Sequence, residues 1–232
     1  LDAAGWAFKR YAAYDGRGKN IRDFTNYDDR QAKKILGRSL LNSELGCYLS
    51  HYGCVEKFLQ TDADYLVVLE DDLRIDINFS STLQEILHYL HSQKNIEWSL
   101  INIAAKKNKI SREIFRTHDY SLVRAYYFPI RGVGLVWSRQ GAHDFLKMAQ
   151  NPCLPVDIFF QNWLIKNGKG LSIWPPLVRP AGLDSDILGT VATERVRRKQ
   201  KENRDFSFFM KKQLRLLKNN ILAYINFLLF KS

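Results

Sequence analysis

Apolar side chains follow two different spacings along this chain. Residues 42 to 60 (NSELGCYLSHYGCVEKFLQ) carry one at every third or fourth position, which predicts an amphipathic helix capped by Asn42 or Ser43. Residues 65 to 69 (YLVVL) are apolar without interruption, which is typical of a strand buried on both faces. That strand leads directly into a run of three carboxylates.

The remaining elements follow from the same two spacings. Helices are predicted over 80–93, 139–150, 157–168 and 214–230, and strands over 8–17, 98–105, 124–138 and 170–180. Strands thus alternate with helices, which favours an α/β fold with a mostly parallel sheet covered by helices on both faces. In such sheets ligands bind beyond the carboxyl ends of the strands, which is where the three carboxylates lie.

Charge divides the chain into two parts. Of a formal net charge of +11, residues 191–232 carry +8, because they hold eleven Lys and Arg against three Asp and Glu. We therefore expect one domain over residues 1–190 and a basic tail over 191–232 that attracts an anionic partner, such as membrane lipid, lipopolysaccharide phosphate or nucleic acid. The basic tract consists of Arg195, Arg197, Arg198, Lys199, Lys201, Arg204, Lys211, Lys212, Arg215 and Lys218.

The end of the tail combines this charge with an apolar face. The apolar positions at helical spacing are Leu214, Leu217, Ile221, Tyr224 or Ile225, and Leu228. The chain contains no run of 18 apolar residues, so we predict no transmembrane helix but a helix that lies in the surface of an anionic membrane. The alternative is that this face packs on the rest of the chain or on a second subunit.

Three cysteines, Cys47, Cys54 and Cys153, form no CxxC pair. An odd number without that spacing argues against a disulfide scaffold and against a structural zinc site, and it favours a reducing compartment.

The carboxylate run, Glu70, Asp71 and Asp72, is the first candidate for chemistry. In an extended chain Glu70 and Asp72 point to the same side and Asp71 to the other. Carboxylate oxygens in this arrangement suit Mg²⁺ or Mn²⁺ that is also held by substrate phosphates. The alternative is an acidic loop that is simply solvated.

Two further positions are ambiguous from spacing alone. His51 lies two helical turns after Glu44, so it either faces a ligand cleft with its neighbours or serves a structural helix. Asp157 follows Pro155 at the start of a predicted helix, where it is either the helix N-cap or a rigidly held general base.

Taken together, these segments resemble glycosyltransferase family 25, which includes bacterial lipooligosaccharide enzymes and collagen galactosyltransferases. The similar pieces occur in the family's order over roughly residues 8 to 190: YAAYDGR, LNSELGCYLSHYGCVEKFL, YLVVLEDDLRI, RGVGLVWSRQGAHDFLKMA, LPVDIFFQNWL and LDSDI. The resemblance implies a GT-A-type, Rossmann-like catalytic domain over residues 1–190. The family's first strand has no counterpart here, so we expect a segment to precede Leu1.

The resemblance also implies a reaction and a set of site residues. A UDP-sugar, commonly UDP-galactose, donates its sugar with inversion at the anomeric carbon. Glu70 and Asp72 would hold Mn²⁺ or Mg²⁺, and the donor would contact Asp15, His51, Glu70, Asp71 and Asp72. Asp157 is the expected general base, with Asp184 and Asp186 as rivals.

The expected partners follow from the same resemblance. They are a nucleotide sugar, a lipooligosaccharide or lipopolysaccharide acceptor and, through the tail, the inner face of the bacterial cytoplasmic membrane or a second copy of the chain; no nucleic acid is expected. Two other hypotheses remain: a metal-dependent phosphodiesterase or nuclease that uses the same carboxylates, and a noncatalytic transferase-like protein tethered to a membrane. Two-metal enzymes normally need a second dense group of ligands, which the sequence does not display.

Overall fold

The computed structural model describes residues 8–16, 18–19, 23–24, 26–181 and 206–229, which form six helices and eight strands. In chain order these are α1 (Asp29–Leu36), α2 (Asn42–Leu59), β1 (Tyr65–Leu69), β2 (Leu73–Ile75), α3 (Phe79–Ser92), β3 (Leu100–Asn102), β4 (Ser111–Thr117), β5 (Tyr120–Ala125), β6 (Gly134–Ser138), α4 (Arg139–Met148), α5 (Val156–Asn167), β7 (Gly170–Trp174), β8 (Val178–Pro180) and α6 (Phe206–Leu229). The α/β class is confirmed.

The main sheet has six strands in the order β1-β6-β3-β7-β5-β4. Only the β3–β7 pair is parallel, and the other four pairs are antiparallel. The prediction of a mostly parallel sheet is therefore wrong. The reason lies between β3 and β6, where four strands follow one another without an intervening helix and so need no crossover.

Helices cover both faces of this sheet, as predicted. Side chains of β6 alternate between the two sides: Trp137 packs with aromatic rings from α4 and α5, whereas Val136 packs with α3. On the first side the ring centroid of Trp137 lies 5.0 Å from that of Phe145 and 5.3 Å from that of Phe160. The core is thus built in two layers around one sheet.

Strand β1 is less buried than its sequence predicts. All five of its residues are partly exposed, because β1 lies at the edge of the sheet that the described residues form. Another predicted strand, over residues 8–17, is wrong: residues 8–16 adopt no regular secondary structure. In contrast, β4 was not predicted, since its sequence SREIFRT has little apolar content and three charged residues.

Helix caps differ in part from the predictions. Helix α2 is preceded by Leu41 rather than capped by Asn42 or Ser43; the carboxylate of Glu44 accepts the Leu41 N–H at 2.8 Å and also binds both terminal nitrogens of Arg38. Helix α4 begins after Ser138, whose hydroxyl oxygen accepts the N–H of Gly141.

A separate two-stranded sheet, β2 with β8, fixes the chain just beyond β1. The Glu70 N–H donates to the carbonyl of Val133 at 3.0 Å, and the carbonyl of Asp72 accepts the N–H of Ala181 at 2.7 Å. The carboxylate run therefore bridges two sheets, and its backbone is held at both ends.

Helix α6 packs on the rest of the protein along one side. Asn219 donates to the side-chain oxygen of Asn162 at 2.9 Å, and Asn226 donates to the carbonyl of Ile165 at 2.6 Å. Ala223 is fully buried between them. The predicted amphipathic helix is thus confirmed as a helix, and it begins eight residues earlier than the sequence pattern indicated.

Gly134 lies where the two sheets meet, paired with Leu69 and immediately beside the carboxylate run. A Cβ at this position would lie 2.4 Å from Cγ2 of Val178 and 3.0 Å from Cγ1 of Ile103, so Gly134→Ala should lower the free energy of unfolding by about 1–3 kcal/mol. Chemical denaturation measures this change.

The control is Gly132→Ala, whose added methyl meets only an ordinary contact at 3.5 Å. Adding Val178→Ala to Gly134→Ala removes the clashing methyl, so the double variant should lose less stability than the sum of the two single losses. Strict additivity would contradict the proposed clash.

Candidate active site

The three carboxylates lie in the link between β1 and β2, where the chain bends at Asp71 and Asp72. Asp71 is exposed, whereas Glu70 and Asp72 are partly buried. Glu70 and Asp72 are therefore the more enclosed members of the run. The prediction that both point to the same side assumed an extended chain, and the chain bends here.

Glu70 has a strongly raised pKa. Burial, followed by repulsion from Asp72, Asp71 and Asp157, raises the pKa of Glu70 to about 7. Within the described ranges no Lys, Arg or His nitrogen comes within 4.0 Å of these four carboxylates. Among the described residues, these four carboxylates therefore have no cationic side chain in direct contact.

Two side chains of α2 complete this corner of the site. The Sγ of Cys47, a ring nitrogen of His51 and a carboxylate oxygen of Glu70 lie within 4.8 Å of one another. His51 is 4% exposed, and burial lowers its pKa to about 4, so the imidazole is neutral at pH 7. Its Nδ1 has no hydrogen-bond partner among the described residues, while Gly132 lies against its Nε2.

Cys47 belongs to the site although the sequence argument did not select it. Burial and the negative charge of Glu70 raise the pKa of its thiol to about 12, so it is a thiol rather than a reactive thiolate at pH 7. The available signal was its spacing: Cys47 and His51 are four residues apart on one helix, and so on one face.

Asp157 lies in the first turn of α5, but it is not the helix cap. The cap position is Pro155, and the Asp157 carboxylate accepts the N–H of Ile158 at 2.7 Å. Burial is the main cause that raises the pKa of Asp157, and repulsion by Glu44 adds to it. Since the charge of Asp157 in turn raises the pKa of both Glu70 and Cys47, the structure brings Asp157 to the same site.

Arg215 of α6 is the second residue that sequence reasoning missed. Its positive charge lowers the pKa of Asp157, and burial lowers the pKa of its own guanidinium. In the sequence Arg215 is one of ten residues in a basic tract, and nothing local distinguishes it. Its position beside Asp157 arises only because α6 packs against α5.

Asp15 reaches α2 through its neighbours in the chain. The N–H of Tyr14 donates to the Ser50 hydroxyl at 2.9 Å, and a Cβ on Gly46 would lie 2.6 Å from the Tyr14 carbonyl oxygen. In α2, Gly46 directly precedes Cys47 and Ser50 directly precedes His51. The exposed Asp15 therefore lies beside the helix face that carries Cys47 and His51. The rival bases, Asp184 and Asp186, lie outside the described residues.

The donor set fits a divalent cation. Burial, and after it repulsion from neighbouring carboxylates, raises the pKa of Glu70, and a cation on these oxygens would offset both costs. The nearby thiol and imidazole are softer ligands, which suit Zn²⁺ better than Mg²⁺. Glu70 is common to both sets, so it is the residue on which any cation at this site depends most.

A concave cavity of about 500 Å³ opens elsewhere, beside Trp98, Ser138 and Lys169. Ser138 pairs with Tyr65 at the start of β1, so this cavity lies at the opposite end of the strand from Glu70. Its lining includes neither the carboxylate run nor α2, and we assign the chemistry to the carboxylate site.

Comparison with known proteins identifies the family of this chain. Residues 1–160 match the family described as glycosyltransferase family 25 (LPS biosynthesis protein). Procollagen galactosyltransferase 1 of Danio rerio is 36% identical over 165 residues, covering 66% of this chain and 26% of that protein. Procollagen galactosyltransferase 2 of Homo sapiens is 31% identical over 144 residues, covering 60% and 22%.

Another relative bears a different description. Probable inactive glycosyltransferase 25 family member 3 of Bos taurus is 33% identical over 126 residues, covering 53% of this chain and 20% of that protein. The matches thus span about a quarter or less of the length of these relatives. The family match itself covers more than two thirds of the chain, and the chain belongs to glycosyltransferase family 25.

Proposed function

We propose that this protein is a metal-dependent, inverting glycosyltransferase of GT-A type that transfers a sugar from a UDP-sugar to a lipooligosaccharide or lipopolysaccharide acceptor. Galactose is the sugar of choice, because two of the relatives are named galactosyltransferases. The acceptor class follows the family's description as LPS biosynthesis proteins. The reaction would take place at the cytoplasmic face of the bacterial inner membrane, where such glycolipids are extended.

The observation that carries the proposal is the uncompensated negative charge at the end of β1. A structural acidic cluster would be stabilised by Lys or Arg, yet no described basic nitrogen lies within 4.0 Å of Glu70, Asp71 or Asp72. Burial of Glu70 makes this charge more costly. A cation that also binds a diphosphate would offset the cost and hold the donor.

In this proposal Glu70 and Asp72 would hold Mn²⁺ or Mg²⁺, and the ion would supply positive charge that stabilises the UDP leaving group. Asp71 and Asp15 line the solvent side of the donor site. His51, being neutral and buried, offers hydrogen bonds to the donor without repelling or titrating against the metal. Cys47 fills the space beneath Glu70 as an uncharged thiol.

Asp157 is the general base of the proposed reaction. It takes the proton of an acceptor hydroxyl as the acceptor oxygen bonds to the anomeric carbon, and the bond from that carbon to the UDP oxygen breaks with its electron pair on UDP. One in-line displacement of this kind inverts the anomeric configuration. The raised pKa of Asp157 makes it a stronger base than an exposed Asp, and the N–H of Ile158 orients it.

Since at least one relative is named as probably inactive, catalysis by this chain needs its own test. Purified protein is incubated with UDP-galactose and Mn²⁺, and release of UDP is followed with and without a lipooligosaccharide acceptor. Acceptor-dependent release of UDP supports the proposal. Phosphodiester cleavage without sugar transfer, or no turnover with any UDP-sugar, would contradict it.

The cation site can be tested without turnover. Millimolar Mn²⁺ should raise the melting temperature of the wild-type protein, since a ligand at about 100 times its Kd stabilises the folded state by about 2.7 kcal/mol. Asp72→Asn and Glu70→Gln should abolish this rise and reduce UDP release at least a hundredfold. The matched control is Asp62→Asn, an exposed carboxylate before the other end of β1, which should respond to Mn²⁺ as the wild type does.

Asp157→Asn tests the base while preserving the contact with Ile158, because an amide oxygen accepts the same N–H. We expect kcat to fall roughly a hundredfold or more, with an unchanged Mn²⁺-induced rise in melting temperature. The acid limb of the wild-type rate profile should lie above the pKa of an ordinary Asp, since the pKa of Asp157 is raised. Near-normal turnover in this variant would transfer the role to Asp184 or Asp186.

The raised pKa of Glu70 predicts how stability depends on pH when no divalent cation is present. The folded state holds this proton up to about pH 7 and the unfolded state only to about 4.5, so the free energy of unfolding should decrease as the pH rises through that window. The loss from this group is on the order of 3 kcal/mol. Glu70→Gln should therefore be more stable than the wild type above pH 7 in EDTA, and equal to it below pH 4.5; equal stability at all pH values would refute the assignment.

A further inference from the structure

We propose that the outward face of α6 is a docking surface for an anionic lipid bilayer. This inference goes beyond the transferase reaction and does not rest on it. The outward face consists of Met210, Leu214, Leu217, Ile221, Tyr224, Ile225 and Leu228.

The outward face is apolar along the whole helix. Leu214, Leu217, Ile221, Tyr224 and Leu228 are each more than half exposed, and their spacing of three, four, three and four residues places them in one stripe. Phe206 and Met210 continue the stripe to the start of the helix. A helix of 24 residues is roughly 36 Å long, so the stripe is far larger than a scatter of single exposed apolar residues.

The opposite side of α6 is the one that packs on the protein. It carries the buried Asn219 and Ala223, and its hydrogen bonds reach Asn162 and Ile165 of α5, while Arg112 of β4 donates to the carbonyl of Phe227 at 3.1 Å. The inward side thus combines these polar groups with the apolar Leu222, Ala223 and Phe227, whereas the long apolar stripe faces outward. The alternative in which the predicted apolar face packs on the catalytic domain is excluded for the described part of the chain.

Charge identifies the partner. Residues 206–229 contain four basic residues and no Asp or Glu. Lys212 and Lys218 are exposed, and Lys218 lies one turn from both Leu214 and Ile221. A second copy would bring the same positive charge against this helix, whereas anionic lipid headgroups attract basic residues near the surface.

The helix would lie on the bilayer and not cross it. No helix in the described ranges meets the length and hydropathy that a membrane span requires. A helix with one apolar face and flanking lysines instead inserts that face between the headgroups and the acyl chains. Hydrogen bonds join α6 to α5, and α5 carries Asp157 in its first turn. Docking of the outward face therefore also fixes the orientation of the carboxylate site relative to the membrane.

Vesicle co-sedimentation of the full chain tests the proposal. Equal mixtures of phosphatidylcholine and phosphatidylglycerol are compared with pure phosphatidylcholine, at 50 mM and 500 mM NaCl. The wild-type protein should bind the anionic vesicles at low salt, at least tenfold more tightly than the neutral ones. Leu217→Gln/Ile221→Gln should weaken this binding at least tenfold, because both side chains lose the transfer into the acyl region.

Lys212→Gln/Lys218→Gln should weaken binding to anionic vesicles about tenfold at low salt and have little effect at high salt. The matched apolar control is Ile77→Gln, which changes an exposed isoleucine outside α6 and should leave binding intact. Circular dichroism and melting temperature confirm that each variant is folded. If the double glutamine variant is unstable, the single substitutions Leu217→Gln and Ile221→Gln should each show part of the loss.

Three results would overturn the proposal. One is no binding of the wild type to anionic vesicles at low salt. Another is undiminished binding of folded Leu217→Gln/Ile221→Gln, which would locate the lipid contact outside this face. The third is a concentration-dependent dimer in analytical ultracentrifugation that these substitutions dissociate and that vesicles do not compete with, which would assign the face to a second copy. None of these measurements depends on sugar transfer, so they remain informative if the proposed reaction is wrong.

Discussion

Burial of the Glu70 carboxylate beside other carboxylates at the end of β1 is the constraint on which the candidate site depends. Glu70 and Asp72 are both partly buried in a short link, and Asp157 adds a third charge from α5. Desolvation increases the energetic cost of bringing these charges together, which is why the pKa of Glu70 rises to about 7. A fold keeps such an arrangement only if the backbone holds the groups in place against their repulsion.

The framework supplies that restraint from two directions. The Glu70 N–H is bonded to the carbonyl of Val133 beside the large sheet, and the carbonyl of Asp72 is bonded to Ala181 at the end of the small one. Gly134 allows the two sheets to approach, because any side chain there would collide with Val178. Asn102 is buried and donates to the carbonyl of Arg131 at 2.8 Å, which fixes the loop that leads to Gly132 and the His51 ring. The position of the charges thus depends on backbone bonds far more than on side-chain ion pairs.

Helix α6 links this site to the exterior of the protein. Its inward side brings Arg215 near Asp157, and its outward side presents an apolar stripe with flanking positive charge. This one helix therefore has two roles in the described part of the chain. Its Arg215 lowers the pKa of Asp157, and its outward side carries most of the large exposed apolar side chains. A change in how α6 packs would alter the environment of Asp157 and the outward face together.

The sequence by itself determined the local elements and the chemistry at one strand end. The spacing of apolar residues specifies α2, β1 and α6, and Gly168 ends α5 in the left-handed conformation that glycine adopts without strain. The Glu-Asp-Asp run after a strand identifies candidate cation ligands, because the sequence alone shows three adjacent carboxylates at that point.

Tertiary structure alone decided the direction of the strands, the membership of the site and the orientation of α6. Strand direction depends on the path of the connections between strands. The pattern of residues within a strand does not encode that path, so it does not predict the antiparallel pairs β3–β6, β4–β5 and β5–β7. Helices α2, α5 and α6 pack at the same corner, which brings Cys47, Asp157 and Arg215 near Glu70 or near one another. The residues that come together are more than 20 positions apart in the sequence, so local patterns do not reveal them. Periodicity shows that α6 has an apolar face; only packing determines that this face points outward, because the buried Asn219 satisfies its hydrogen bond with Asn162 on the inward side.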